Sequence, residues 1–140
     1  MPTPTPQPTP GELAILRVLW RRGRGTVREV LDDLNAGRAH KPAGYTTVLK
    51  LMQIMADKGL VRRDQSQRTH VYSPAAGEDQ TQRRLVKDLL ERVFNGSARK
   101  LVLHALSARK ATAQEIAEIR SLLDEMERGD TPNPGKGGNP

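Results

Sequence analysis

The 140-residue sequence has no cysteine and only four aromatic side chains, Trp20, Tyr45, Tyr72 and Phe94. Without cysteine there is no disulfide scaffold, no thiol nucleophile, no Cys-ligated zinc and no cysteine-based copper sensing. With so few aromatics, the core has to be built from Leu, Ile, Val, Met and Ala. No apolar run approaches the roughly 18 residues a membrane-crossing helix needs, so no membrane insertion is expected. No apolar signal segment opens the chain, and a cytoplasmic location is expected. A chain of this length buries only about two-thirds of its unfolded surface, so a partner subunit would add stability.

Catalytic and metal-binding groups are equally sparse. His40, His70 and His104 are far apart and have no neighbour at metal-ligand spacing. Asp32-Asp33, Glu78-Asp79 and Asp124-Glu125 are adjacent pairs, and neighbours one apart on a helix do not face each other as an acid/base dyad must. Gly23-Arg24-Gly25 lacks the lysine and glycine spacing of a phosphate-binding loop. The expectation is a non-enzymatic protein with no metal and no cofactor.

Positive charge is present and unevenly spread. Residues 1–74 hold 12 basic and 6 acidic side chains, residues 75–130 hold 10 of each, and Lys136 completes the net charge of +7. A basic half joined to a neutral half implies division of labour, with the first half meeting a polyanion.

Residues 1–9 are a proline-rich arm and residues 129–140 a Gly/Pro tail, both expected to be disordered. Between them, Thr9-Pro10-Gly11-Glu12 opens a first helix with a capping box, followed by Leu13, Leu16 and Trp20 at helical spacing and Gly23 as a stop. Thr26 with Glu29 opens a second helix, which carries Val27, Val30, Leu31 and Leu34 and stops at Asn35-Ala36-Gly37. After the polar loop 37–43, a third helix is predicted from Tyr45 to Lys58, with Gly59 as its stop. At 100° per residue, Val48, Leu51, Met52 and Met55 share an inward arc, while Thr46, Lys50, Gln53 and Asp57 lie opposite, with Thr47 and Leu49 at the margins. Two β-prone runs, 60–64 and 70–74, flank a polar stretch and read as a hairpin with a basic tip and no turn glycine. Residues 75–128 read as three amphipathic helices. Their stripes include Leu85, Leu89, Val93, Leu101, Leu103, Leu106, Ile119 and Leu123, and a third Thr/Glu pair, Thr112 with Glu115, opens the last. Such short helices bury these stripes well only against a second copy of the chain.

A capped helix followed by an amphipathic helix with a short-chain polar front is the pattern of a helix-turn-helix. Gln53 can read adenine, Lys50 can reach guanine, and Thr46 can reach a base or a phosphate. Arg62, Arg63 and Arg68, on or beside the hairpin, suit phosphate contacts. Double-stranded DNA is the expected partner.

At this point the residues carry a family resemblance. Leu13-Ala14-Ile15-Leu16-Arg17-Val18-Leu19-Trp20, Thr26-Val27-Arg28-Glu29-Val30, Gly44-Tyr45-Thr46-Thr47-Val48-Leu49-Lys50-Leu51-Met52, Lys58-Gly59-Leu60-Val61 and Arg68-Thr69-His70-Val71-Tyr72-Ser73-Pro74 resemble the penicillinase-repressor (BlaI/MecI/CopY) family of winged-helix regulators. The resemblance spans about residues 10–126. It implies a mainly α fold: a winged helix-turn-helix domain over 10–74, with three helices and a β-hairpin wing, then a helical dimerisation domain over 75–128. It implies a homodimeric transcriptional repressor on a palindromic operator, contacted through Tyr45, Thr46, Thr47, Lys50, Gln53, Arg62, Arg63 and Arg68. It also implies release by a membrane-bound sensor protease that cuts the dimerisation domain in a Leu-Val-Leu-Asn-Phe stretch. The matching stretch here is Leu101-Val102-Leu103-His104-Ala105, which places the candidate cut between His104 and Ala105. Release by copper needs a C-terminal cysteine cluster, which this chain lacks. Two other readings stay open: an architectural protein that binds nucleic acid by its backbone alone, and a winged-helix module that docks a partner protein.

Overall fold

The computed structural model describes residues 7–37 and 42–129. The first six residues of the arm, His40 and its neighbours in the polar loop, and tail residues 130–140 lie outside the described residues. The element order is α1 (Pro10–Arg22), α2 (Val27–Ala36), α3 (Tyr45–Lys58), β1 (Val61–Asp64), β2 (Val71–Pro74), α4 (Glu78–Arg92), α5 (Ala98–Ala108) and α6 (Ala113–Glu127). The chain divides into two compact units that meet at Thr81–Gln82.

The first unit is a winged helix. Its three helices begin and end where local chemistry supplies or withdraws hydrogen-bond partners. Thr9 and Thr26 each accept from the backbone N–H three residues on, and Glu12 and Glu29 each accept in return from the cap N–H. These reciprocal pairs satisfy donors that a helix start otherwise leaves unmet. Gly44 caps α3 with no side-chain bond. Gly59 ends α3 at φ 83°, a left-handed conformation in which a side chain would be strained.

The core lies where the inward stripes of α1, α2 and α3 meet the hairpin. Ile15, Leu19, Val30, Val48, Met52, Met55 and Tyr72 are all at most 1% exposed. Each large aliphatic side chain buried in this way contributes about 1.5–3 kcal/mol. Leu51, expected in the core arc, is half-buried and borders α1, with its Cδ1 3.7 Å from where a Cβ on Gly11 would stand.

β1 and β2 pair antiparallel, with Val61 opposite Pro74 and Arg63 opposite Tyr72. The chain turns without glycine because the Asp64 carboxylate accepts from the Ser66 backbone N–H at 2.9 Å. A third strand contribution comes from Gly25, which exchanges two backbone bonds with Tyr72, at 2.9 and 2.8 Å. The hairpin is thereby tied to the entrance of α2. The Trp20 indole donates to the Ala76 carbonyl at 2.9 Å and holds the chain leaving β2 against α1. Thr81, in the first turns of α4, is 2% exposed. The sequence reading sets the boundary at Pro74, whereas the first unit extends through Thr81 because these contacts continue its packing past β2.

The second unit comprises the rest of α4 with α5 and α6. α4 ends two residues before Phe94, and Asn95 and Gly96 turn the chain at φ 51° and 82°. Ser97 caps α5 and Thr112 caps α6 through their hydroxyls. At Thr112 only this half of the expected capping box forms among the described residues. No residue of α5 or α6 is buried.

Candidate nucleic-acid interface

α3 presents the candidate surface because its inward arc is anchored on several sides. Met52, Met55 and Val48 lock one face into the core. At its start, the Asn35 amide donates to the Ala43 carbonyl and accepts from the Ala43 N–H, at 3.0 and 2.7 Å. These two bonds set the chain entering α3 against the end of α2. At its other end, Lys58 Nζ lies 2.9 Å from both carboxylate oxygens of Glu12. Burial works against the charged form of Glu12, but the Thr9 N–H and the Lys58 ammonium outweigh it and hold its pKa below the ordinary value.

With the inner face held, Tyr45, Thr46, Thr47, Lys50 and Gln53 all stand exposed. One flank of this front borders a cleft of about 300 Å³ bounded by the start of α2, α3 and the hairpin. Tyr45, Gln53, Arg63 and Arg68 of the expected contact residues line it, with Leu49 and Tyr72 as its apolar floor. Thr46, Thr47 and Lys50 lie on the open front beyond the cleft. Arg62 does not join them: strand alternation puts Arg63 on the face shared with buried Val61 and Tyr72, and Arg62 on the opposite face.

The cleft contains one arginine that sequence reasoning missed. Arg28, in the first turn of α2, sets its guanidinium 5.0 Å from the Tyr45 ring centroid, a cation–π distance. Its pattern signal was available, since residues at the start of the first helix of a helix-turn-helix lie near the backbone of bound DNA. His70 and Thr69 complete the hairpin wall.

Three carboxylates, Glu29, Asp33 and Asp64, are already engaged, whereas Asp57 stands exposed on the front of α3. Arg22 reaches from the end of α1 to Glu29 at 2.8 Å and to Asp33 at 3.0 Å. The Asp33 bond is the main cause that raises the Arg22 pKa, and the Thr26 N–H is the main cause that lowers that of Glu29. Asp64 is likewise held low by its bond to Ser66, with Arg24 adding attraction. The cleft lining itself carries Arg28, Arg63 and Arg68 and no carboxylate, so the charge along it is positive.

Of the residues assigned to dimerisation, Val93, Leu103 and Leu123 are each more than half exposed, Leu89 is exposed, and Leu85, Leu101, Leu106 and Ile119 are half-buried. His104 and Ala105 are exposed in the middle of α5, where the His104 ring lies 5.7 Å from that of Phe94. Among the described residues, no group of three or more His, Asp or Glu is placed to hold a metal, and no helix is long and apolar enough to cross a membrane.

Comparison with known proteins places this chain in a family. The sequence profile described as "Penicillinase repressor" matches residues 8–125. The transcriptional regulator BlaI of Mycobacterium tuberculosis is 34% identical over 119 residues, covering 84% of this chain and 83% of the relative. The penicillinase repressor of Bacillus licheniformis is 25% identical over 120 residues, covering 86% and 91%. The solution structure of the DNA-binding domain of the repressor BlaI superposes with a TM-score of 0.46 at 22% identity, covering 55% of this chain and 90% of that one. The chain belongs to the penicillinase-repressor family, whose members are transcriptional repressors rather than enzymes.

Proposed function

We propose that this protein is a homodimeric transcriptional repressor that binds a palindromic operator, with α3 in the major groove and the hairpin wing on the flanking phosphates. One observation carries the reading. In a chain of a repressor family, α3 turns Thr46, Thr47, Lys50 and Gln53 outward beside a cleft lined by Arg28, Arg63 and Arg68. Gln53 and Lys50 have the donors and acceptors to read base edges, and the arginines supply phosphate contacts that fix register. Arg28, held over Tyr45, would grip the phosphate nearest the start of α2. Arg62, on the outer face of the wing, contributes little.

The apolar stripes of the second unit support the dimer. Val93, Leu103 and Leu123 stand open to solvent in one chain, and a second copy would cover them. Two linked half-site readers gain from effective concentration, so the dimer binds far more tightly than one unit alone. Release by a membrane sensor protease that cuts between His104 and Ala105 would sever α5 and separate the two readers. That bond lies inside a helix, so the protease needs α5 to open locally. Intact mass of the repressor recovered from induced cells tests this: a full-length 15.5 kDa chain under complete derepression excludes the cut.

Selection of bound sequences from a random duplex pool, followed by footprinting, tests the main reading. Two protected half-sites related by two-fold symmetry, spaced by whole helical turns, are expected. Uniform protection of any duplex would replace it with an architectural role. Binding indifferent to salt would replace it with protein docking, because phosphate contacts make affinity fall steeply with salt.

A further inference from the structure

Ile54 is the one aliphatic side chain of α3 that stands exposed. Ile54 is 36% exposed, while Val48, Met52 and Met55 on the same helix are almost completely buried. At 100° per residue it lies about 40° round the helix from Lys50 and about 20° from Thr47. Leu51, about 60° further round, already borders α1, and Leu49 lines the wing cleft. Ile54 thus belongs neither to the core nor to the cleft, and it stands beside Lys50 on the outward face.

We propose that Ile54 is a specificity-determining residue that reads the 5-methyl group of a thymine in the major groove. The inference rests on α3 being the groove-facing helix. Of the four bases, only thymine presents a methyl group in that groove, so an apolar side chain there discriminates without any hydrogen bond. A cytosine at the same place would turn its amino donor toward a side chain with no acceptor. Ile is stiff at χ1, so little freedom is lost on contact. Ile54 lies about 6 Å beyond Lys50 along the helix axis. With the axis along the groove, and base pairs about 3.4 Å apart, the thymine it reads is about two pairs from the one Lys50 contacts.

The test uses the full chain and the duplex selected from a random pool. Each thymine of the half-site is replaced in turn by deoxyuridine, symmetrically in both halves, which removes the methyl group and nothing else. Affinity is read by fluorescence anisotropy. At one position the wild-type chain is expected to lose about fourfold per half-site, the effect of exposing one buried methyl group. Ile54→Ala should bind the thymine duplex more weakly and show no further loss with uracil at that position, and Ile54→Val should keep part of the loss. Because deoxyuridine is first applied to the wild-type chain, the result does not depend on any variant folding. Uracil tolerated at every position, or an uracil penalty unchanged in Ile54→Ala, would overturn the assignment. If the pool yields no preferred sequence at all, operator binding itself fails and the assignment falls with it.

Discussion

The bond between Glu12 and Lys58 joins the start of α1 to the end of α3, and its removal should loosen the helix that carries the candidate site. Glu12 is 1% exposed and accepts from both the Thr9 N–H and Lys58, whose side chain is 31% exposed. Lys58→Met leaves a buried carboxylate whose charge is then stabilised by the Thr9 N–H and side chain. Breaking a fully buried pair costs about 3–5 kcal/mol. Lys58 is partly solvated, so about 2 kcal/mol is expected here. Glu12→Gln keeps the shape and an acceptor for Thr9 and should cost about 1 kcal/mol, as the loss of one charged partner does. The double variant should cost less than the sum, with a coupling of about 1 kcal/mol. The single tryptophan, Trp20, lies in the first unit, so its fluorescence during urea unfolding reports on that unit. The pH dependence has a definite sign. The Glu12 pKa is lowered in the folded chain, so its contribution is present above the ordinary 4.5 and is lost as pH falls through the lower folded value. The stability gap between wild type and Lys58→Met should therefore shrink as the pH is lowered past the ordinary 4.5. A Lys58→Met cost within about 0.5 kcal/mol, the range of an ordinary surface substitution, or a gap that widens in acid, would mean that this bond does not hold α1 to α3.

Other expectations follow from the same geometry. Lys50→Ala or Gln53→Ala should cost about 1–3 kcal/mol on the selected operator and less on random duplex, by anisotropy; equal losses on both would mean phosphate contact only. Arg63→Ala and Arg28→Ala should weaken binding to all sequences and reduce the salt slope by about 1 each, while Arg62→Ala should change neither. A fragment ending at Thr81 should sediment as a monomer and bind the full palindrome far more weakly than the intact chain. A stable full-length monomer at micromolar concentration would contradict that last expectation.

Much of the first unit was legible in the sequence because its signals are local. The capping boxes at Thr9/Glu12 and Thr26/Glu29 need only a spacing of three, and the core arc of α3 needs only the helical period. What escaped depends on residues distant in the chain. Glu12 reads as a cap, but its bond to Lys58 spans 46 positions. Asn35 reads as a helix stop, although its amide fixes the entry to α3. Gly25 carries no local signal beyond failing the phosphate-loop pattern, and only the fold makes it a strand partner of Tyr72. Arg62 and Arg63 look equivalent in composition, and strand alternation from Val61 separates them. Ile54 carries no local signal, because one more apolar residue in an amphipathic helix stands out only through its exposure.

An operator-binding repressor of this kind requires sequence-specific recognition by a pair of these chains. The most direct measurement is an anisotropy titration of the intact protein at one fixed salt concentration, against a duplex with both selected half-sites and against the same duplex scrambled. Two chains per duplex and an affinity ratio of about 10³ or more are expected. A ratio near one, or saturation at one chain per palindrome, would contradict it.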